Sequence, residues 1–314
     1  MISKTDSPRS HIYGPVPSRR LGFSLGVDII PFKTCTLDCI YCQLGPTPEK
    51  RNSREEFYTV EEITTQIRDT LASGRQIDSI TFSGSGEPTL NTMLGELIRE
   101  VKTFTDIPVT VLTNATLLPD PAVQEALLAA DRIVPSLDAA AQDVFERINR
   151  PAPGIRIEDI IDGLAGFRKR FSGEIWLEIL LVKGINDSEE HLRLLKTAAE
   201  KIGPDRIQIN TVVRPPSDAE AKPLSKDRLE EIRSFFGDKA EIIAEFSRPL
   251  QTPVAEDLTD QVLAVIRRRP VTLDDLVSSL GMEKEKIKNC LEPLLAEKAV
   301  QEAHQGGRIF YKPA

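Results

Sequence analysis

Cysteine, histidine and tryptophan are scarce in this chain: its 314 residues hold four, three and one of them. Four cysteines cannot staple a chain of this length, so a disulfide scaffold is excluded. The histidines, His11, His191 and His304, stand alone in sequence, which excludes zinc sites of the H-E-x-x-H kind. Counting does not exclude a Ser–His–Asp triad. Long apolar runs are also missing. None approaches the roughly 18–20 residues of a membrane span, and residues 1–20 contain no stretch resembling a secretory signal. The expectation is a cytoplasmic protein with no membrane partner. Nor is there an excess of positive charge. Lys and Arg number 40 against 48 Asp and Glu, a net charge of −8. That argues against a nonspecific grip on nucleic acid over the whole surface and leaves a local patch open.

What is present is ordinary for a globular protein, 40% hydrophobic and 28% charged. At roughly 150 residues per domain, the length fits about two domains. Three zones stand out. Residues 1–24 are rich in Pro, Ser and Arg and read as an N-terminal arm or packed loop. Residues 25–250 alternate short apolar runs with amphipathic stretches. Residues 257–314 form a separate small unit.

The middle zone contains six strand candidates: Gly26–Ile30, Ser79–Ser83, Val109–Thr113, Arg132–Leu137, Ile175–Val182 and Arg206–Val213. Each is β-branched-rich or nearly continuously apolar, as a strand covered on both faces should be. Glu241–Phe246 is a further candidate. Helical patterns lie between them. Thr59 and Glu62 have capping-box spacing before a helix running to about Leu71. Leu94, Leu97, Ile98 and Val101 make one apolar stripe. Residues 121–130, 140–148, 157–170, 188–201 and 225–236 read as further helices. Repeated strand–helix alternation implies a parallel α/β sheet. Six units are too few for a closed eight-stranded barrel, so an open, partial barrel or a doubly wound sheet fits. In either architecture reactive groups belong at the carboxyl ends of the strands. The unusual residues collect there: three cysteines after the first strand, Ser85-Gly86-Glu87-Pro88 after the second, Thr113-Asn114 after the third, and Ser136-Leu137-Asp138 after the fourth.

Cys35, Cys39 and Cys42 supply three thiolates on one loop, a soft donor set suited to iron–sulfur or zinc. A structural zinc site needs a fourth ligand, which His11 or Cys290 would have to bring from afar. A four-iron cluster held by three cysteines leaves one iron open to a substrate or cofactor, where four cysteines are usual. Cys290, on an amphipathic stretch, reads as a small core residue.

The C-x-x-x-C-x-x-C spacing, Cys35-Thr-Leu-Asp-Cys39-Ile-Tyr-Cys42, resembles the signature of the radical S-adenosylmethionine (radical SAM) superfamily. The resemblance covers residues from about 25 to 213 and implies an α/β fold of the partial (β/α)6 TIM-like barrel kind. It implies a 4Fe–4S cluster ligated by Cys35, Cys39 and Cys42. The open iron would bind the amino and carboxylate groups of S-adenosylmethionine. Reductive cleavage would then yield a 5′-deoxyadenosyl radical that abstracts a substrate hydrogen. It further implies that Tyr41 packs on the adenine. Ser85-Gly86-Glu87-Pro88, similar to the superfamily's G-G-E-P motif with serine for the first glycine, would meet the methionine amino group. Asn114 would lie near the ribose, and Ser136 and Asp138 near ribose or methionine carboxylate. Glu178 and Asn210 would face the cavity. Read singly, these residues have plainer roles: Glu87 and Pro88 in a turn, Asn114 in another, Ser136 or Asp138 as a helix cap. Residues 14–28 are similar to proteins grouped near the enzymes that build the wyosine base on transfer RNA. Those enzymes carry extra N-terminal cysteines for a second cluster, and no cysteine precedes Cys35 here. Arg19 and Arg20 would pair with phosphate or with the cofactor carboxylate, or would be surface residues.

In the last zone, Leu258–Ile266, a segment opened by Thr272 and ended by Gly281, and residues 283–297 read as three helices. Ala299–Ala303 and Arg308–Tyr311 read as two strands. That order resembles a winged helix-turn-helix, whose third helix would read a groove. Nine basic against eight acidic residues from 258 to 314 leave the unit nearly neutral. Nucleic-acid contact, docking of a protein or peptide substrate, and packing on the barrel all remain open. The expected enzyme draws an electron from a donor such as a flavodoxin or ferredoxin and acts on an RNA, peptide, protein or small metabolite. The alternatives are an iron–sulfur redox-sensing transcription regulator and a glycyl-radical activase.

Overall fold

The computed structural model describes residues 10–18, 20–243, 258–267 and 270–314. Arg19, residues 268 and 269, and the second half of the Glu241–Phe246 candidate (244–246) lie outside them. The first part of the chain runs β1 (Ile12–Ser18), β2 (Gly22–Val27), α1 (Val60–Ala72), β3 (Ser79–Phe82), α2 (Leu94–Val101), β4 (Val109–Thr113), α3 (Pro121–Leu127), β5 (Arg132–Pro135) and α4 (Gln142–Asn149). It continues as α5 (Ile157–Arg168), β6 (Glu174–Leu181), α6 (Glu189–Ile202), β7 (Arg206–Thr211), α7 (Lys226–Phe236) and β8 (Ala240–Ile242). One eight-stranded sheet takes β1 to β8 in chain order. From β2 to β8 each strand runs parallel to the next. A doubly wound sheet reverses its strand order at a switch point. This sheet never reverses, so it is the partial barrel.

β1 replaces the expected arm. It pairs antiparallel with β2, with an irregularity between Tyr13 and Val16. Pro15 and Pro17 argue against a strand because neither can donate to a ladder. At an edge, beside a bulge, that loss is tolerated. β1 also draws β2 forward, so the strand expected at Gly26–Ile30 begins at Gly22, where the hairpin closes.

The strands alternate faces more than their apolar content implies. On β6 and β7, Ile175, Leu177, Ile179, Ile207 and Ile209 join the core under the helices, with Ile63, Leu97 and Leu164 among their partners. Glu178, Leu180 and Asn210 point the other way, into the barrel. The barrel interior is therefore largely polar. Ser24 donates to Thr81 at 2.7 Å, and Ser79 and Thr110 are 3.1 Å apart. Gly22-Phe23-Ser24-Leu25-Gly26 has the spelling of a G-x-S-x-G nucleophile elbow. It lies inside β2 rather than at a strand-to-helix turn, so Ser24 is a rung of this hydroxyl ladder. Towards the strand starts, Leu21, Val134 and Trp176 form a small apolar plug.

The C-terminal unit is α8 (Leu258–Ile266), α9 (Leu273–Leu280), α10 (Lys284–Ala296), β9 (Val300–Gln305) and β10 (Arg308–Pro313). Its three helices and antiparallel hairpin match the expected order. Thr272 and Asp275 form a capping box, and Gly281 ends α9 in the left-handed region at φ 63°. Val262, Ile266, Leu276, Ile287 and Leu291 make its core, and Val16 of β1 is buried in it. Cys290 is half-buried against that core, as expected. Among the described residues no helix is long and apolar enough to cross a membrane.

Candidate functional site

A cavity of about 1060 Å³ opens at the carboxyl ends of the strands. Cys35, Cys39 and Cys42, on the loop after β2, all line it and are all half-buried. Other elements hold that loop in shape. Ile40 and Asp38 donate backbone N–H groups to Ile148 and Asn149 at the end of α4, both at 3.0 Å. Ser217, in the segment after β7, donates to the Cys39 and Ile40 carbonyls at 3.0 and 2.9 Å.

The second motif sits against the first. Lys33 N donates to Ser85 O at 2.8 Å and Glu87 N to Thr34 O at 3.0 Å. Gly86 is required at this contact, because a Cβ there would lie 1.9 Å from the Thr34 carbonyl oxygen. Ser85 donates to the Asp28 carboxylate, and Asp28 is itself buried. The turn is therefore clamped between the end of β2 and the cysteine loop.

Glu87 lines the cavity yet is only 1% exposed. Its carboxylate accepts from Thr89 N at 3.0 Å, Thr89 Oγ1 at 2.7 Å, Thr113 Oγ1 at 2.6 Å and Asn114 N at 2.7 Å. Burial pushes its pKa up, and those four donors pull it back. Glu87 thus joins the turn after β3 to the end of β4. Pro88 follows as the first residue of a short turn and does not line the cavity.

Asn114 faces the cavity with its amide already engaged. Nδ2 donates to Thr36 Oγ1 at 2.8 Å and to Cys35 Sγ at 3.5 Å. Ser136 lines the cavity and Asp138 does not. Asp138 accepts from the Tyr41 hydroxyl, from Asn149 Nδ2 at 2.8 Å and from Leu180 N at 2.9 Å. Burial raises its pKa to about 6 despite those donors. Tyr41 lines the cavity with its hydroxyl tied back to Asp138. Glu178 and Asn210 face the cavity together, with Asn210 Nδ2 donating to Glu178 at 2.9 Å. Arg20 turns to Glu178 at 2.8 Å and to Gln208 at 3.3 Å.

Three participants escape sequence reasoning. Asn149 donates to both Asp138 and Cys39, the latter at 3.3 Å, yet in sequence it only follows the helix expected at 140–148. Asn186 donates to the Asp138 and Leu180 carbonyls, both at 2.8 Å. Its signal is the Gly184-Ile185-Asn186-Asp187 turn after β6. Lys33 donates to Cys42 Sγ at 3.2 Å. The C-terminal unit also supplies wall: Thr272, Asp274, Arg308 and Tyr311 line the same cavity.

The donor set fits an iron–sulfur cluster. Desolvation pushes the Cys35 thiol up to about 12 and the Cys39 thiol well above its ordinary value. Buried thiols of that kind ionise when a cationic metal centre takes them as ligands. Three sulfurs come from one loop, and each accepts an N–H from a side chain of the protein.

Residues 29–195 match the radical SAM superfamily. A protein named GTPase Obg from Brachyspira hyodysenteriae is 37% identical over 98% of this chain, and this chain spans 46% of that protein, less than half its length. No Gly-Lys pair of the kind a nucleotide-phosphate loop needs occurs in these 314 residues. The UPF0026 protein MJ1312 from Methanocaldococcus jannaschii is 30% identical, over 95% of this chain and 94% of that one. In fold, the chain is similar to the crystal structure of a radical SAM methyltransferase from Sphaerobacter thermophilus. The TM-score is 0.53 at 21% identity, over 70% of this chain and 65% of that one.

Proposed function

The chain belongs to the radical SAM superfamily, and on that premise we propose how its own residues divide the work of a radical SAM enzyme. The enzyme binds a 4Fe–4S cluster and S-adenosylmethionine. Together they supply reductive cleavage to methionine and a 5′-deoxyadenosyl radical, which abstracts hydrogen from a substrate.

Cys35, Cys39 and Cys42 hold the cluster. The observation that carries this assignment is their common exposure to one cavity, on a loop whose Lys33 and Thr34 are hydrogen-bonded to the turn at Ser85–Glu87. Ser85 and Gly86 offer close backbone approach to the cofactor, Tyr41 a flat apolar wall, and Ser136 a polar group on the opposite strand. Glu87, Pro88, Asn114 and Asp138 act one step back. Glu87 and Asp138 spend their carboxylates on protein donors, Asn114 bridges to the cysteine loop, and Pro88 starts the turn. They fix the loops that the cofactor touches.

The cavity slightly exceeds the roughly 300–1,000 Å³ of common ligand pockets, room for the cofactor with a small substrate or one reacting group of a larger one. The domains are best drawn with the barrel beginning at β1 and with residues 258–314 as a winged-helix-like unit. Because that unit lines the cavity and packs on β1, its first role is substrate wall. A second reading, nucleic-acid contact through α10, is weaker. Lys284, Lys286 and Lys288 are paired with Asp274, Glu283 and Glu285 of the same unit. On the radical SAM reading the electron comes from a low-potential donor of the flavodoxin or ferredoxin kind, and the enzyme works in the cytoplasm. The redox-sensor alternative leaves the Ser85–Glu87 turn without a task. The activase alternative has no feature here to support it.

The test is anaerobic reconstitution with iron and sulfide, followed by dithionite and S-adenosylmethionine. Methionine and 5′-deoxyadenosine should appear, and each single cysteine-to-alanine variant should lose both. Cleavage retained in any one variant contradicts the assignment.

A further inference from the structure

Lys33 stands in an unusual position for a lysine. It is 6% exposed, while its neighbour Phe32 is 58% exposed. Its φ is 58°, in the left-handed region that residues with a Cβ seldom adopt. Glycine adopts that region readily. Its backbone is fixed by the Lys33 N–Ser85 O bond at 2.8 Å. The side chain runs into the cavity, and Nζ donates to Cys42 Sγ at 3.2 Å. The other two sulfurs have neutral donors: Asn114 Nδ2 at 3.5 Å from Cys35 and Asn149 Nδ2 at 3.3 Å from Cys39.

We propose that Lys33 is a positioning residue for electron entry: its cation, set against the Cys42 sulfur, raises the reduction potential of the cluster that the three cysteines hold. This rests on the cluster assignment above and adds to it the one charged group of the three side-chain N–H donors. Reduction adds one electron to the cluster and moves no proton or leaving group, so the added charge is what the protein must stabilise. Hydrogen bonds to ligand sulfur and nearby charge are the protein's levers on such a potential. A charged donor acts about twice as strongly as a neutral one, and burial strengthens the effect because little water screens it. Lys33 therefore favours the reduced form more than Asn114 or Asn149 does. A strained, buried cation that makes no ion pair with a carboxylate on its own loop is accounted for by this one contact.

The experiment is an EPR-monitored redox titration of reconstituted full-length protein, with iron content and the dissociation constant of S-adenosylmethionine measured on the same samples. Lys33→Gly keeps a residue suited to the backbone and removes the cation, and Lys33→Arg keeps a cation. Lys33→Gly should retain its iron and shift the reduction equilibrium at least tenfold towards the oxidised cluster, 59 mV more negative for one electron. Lys33→Arg should recover most of that shift, and Asn149→Ala should move it less than Lys33→Gly. A loaded Lys33→Gly variant within twofold of wild type overturns the proposal. So does weakened S-adenosylmethionine binding at unchanged potential, which would make Lys33 a partner of the cofactor carboxylate. A wild-type protein that holds no iron–sulfur cluster would sink the cluster assignment itself, a result distinct from either.

Discussion

The barrel and the C-terminal unit bury their polar groups differently. In the barrel, the carboxylates of Asp28, Glu87 and Asp138 are each at most 3% exposed, and each is satisfied by named donors across strand ends. In the C-terminal unit the core is aliphatic, and the charged residues of α10 pair at the surface. Buried polar groups must be satisfied or they cost free energy, so a region that keeps many of them holds each to a fixed geometry. Surface pairs fix little. The barrel's residues therefore report chemistry, while the unit's residues report mainly stability and shape.

That contrast can be broken by substitution, with the largest effect on the cysteines. Cys35→Ala, Cys39→Ala and Cys42→Ala should each remove the visible absorbance of the reconstituted cluster and all S-adenosylmethionine cleavage. Glu87→Ala comes next. It orphans four donors, so urea unfolding should show a loss of about 3 kcal/mol or more, and S-adenosylmethionine binding should fall with it. Glu87→Gln, which keeps an acceptor oxygen, should lose less. In the C-terminal unit, Ile287→Ala should cost about 2–5 kcal/mol as a core truncation. The cluster spectrum should survive, because that core lies apart from the cysteine loop.

Asp138 sharpens the comparison through pH. Its folded pKa of about 6 lies above the ordinary 3.8, so the folded chain takes up this proton first as pH falls. Its ionised form is penalised in the fold above about pH 6, and the penalty is relieved between about pH 6 and pH 4. The stability of wild-type apoprotein relative to Asp138→Asn should therefore rise from pH 7.5 to pH 5, as read from urea midpoints. A flat difference would place the carboxylate in a more hydrated setting than the one described. The smallest effect belongs to the α10 lysines. Replacing Lys284, Lys286 and Lys288 with alanine should change stability by less than about 1 kcal/mol. It should also leave cofactor cleavage intact.

Much of the barrel was legible because its signals are local. Val109–Thr113 was read with the bounds observed, and the helix caps at Thr59 and Thr272 are made by the residues expected. The cysteine spacing and Gly86-Glu87 located the rim. What was not legible depends on partners distant in sequence. β1 looked like an arm because its ladder needs β2 and its edge needs the C-terminal unit. Asp138 gives no sign in sequence of the side chains that enclose it, Tyr41 and Asn149, which lie 97 and 11 residues away. Lys33 carried no signal, since neither a left-handed backbone nor a sulfur partner is written in composition or periodicity. The role of the C-terminal unit stayed open for a related reason: capping and periodicity specify its helices, and its place on the cavity wall follows from Val16 and Tyr13 of β1.

The central claim is that three cysteines hold a four-iron cage and leave one iron for S-adenosylmethionine. EPR of the dithionite-reduced protein, recorded with and without S-adenosylmethionine, tests it most directly. The account predicts a 4Fe–4S signal whose g-values shift when the cofactor is added. A signal that ignores the cofactor, or a protein loaded with zinc instead of iron, would contradict it.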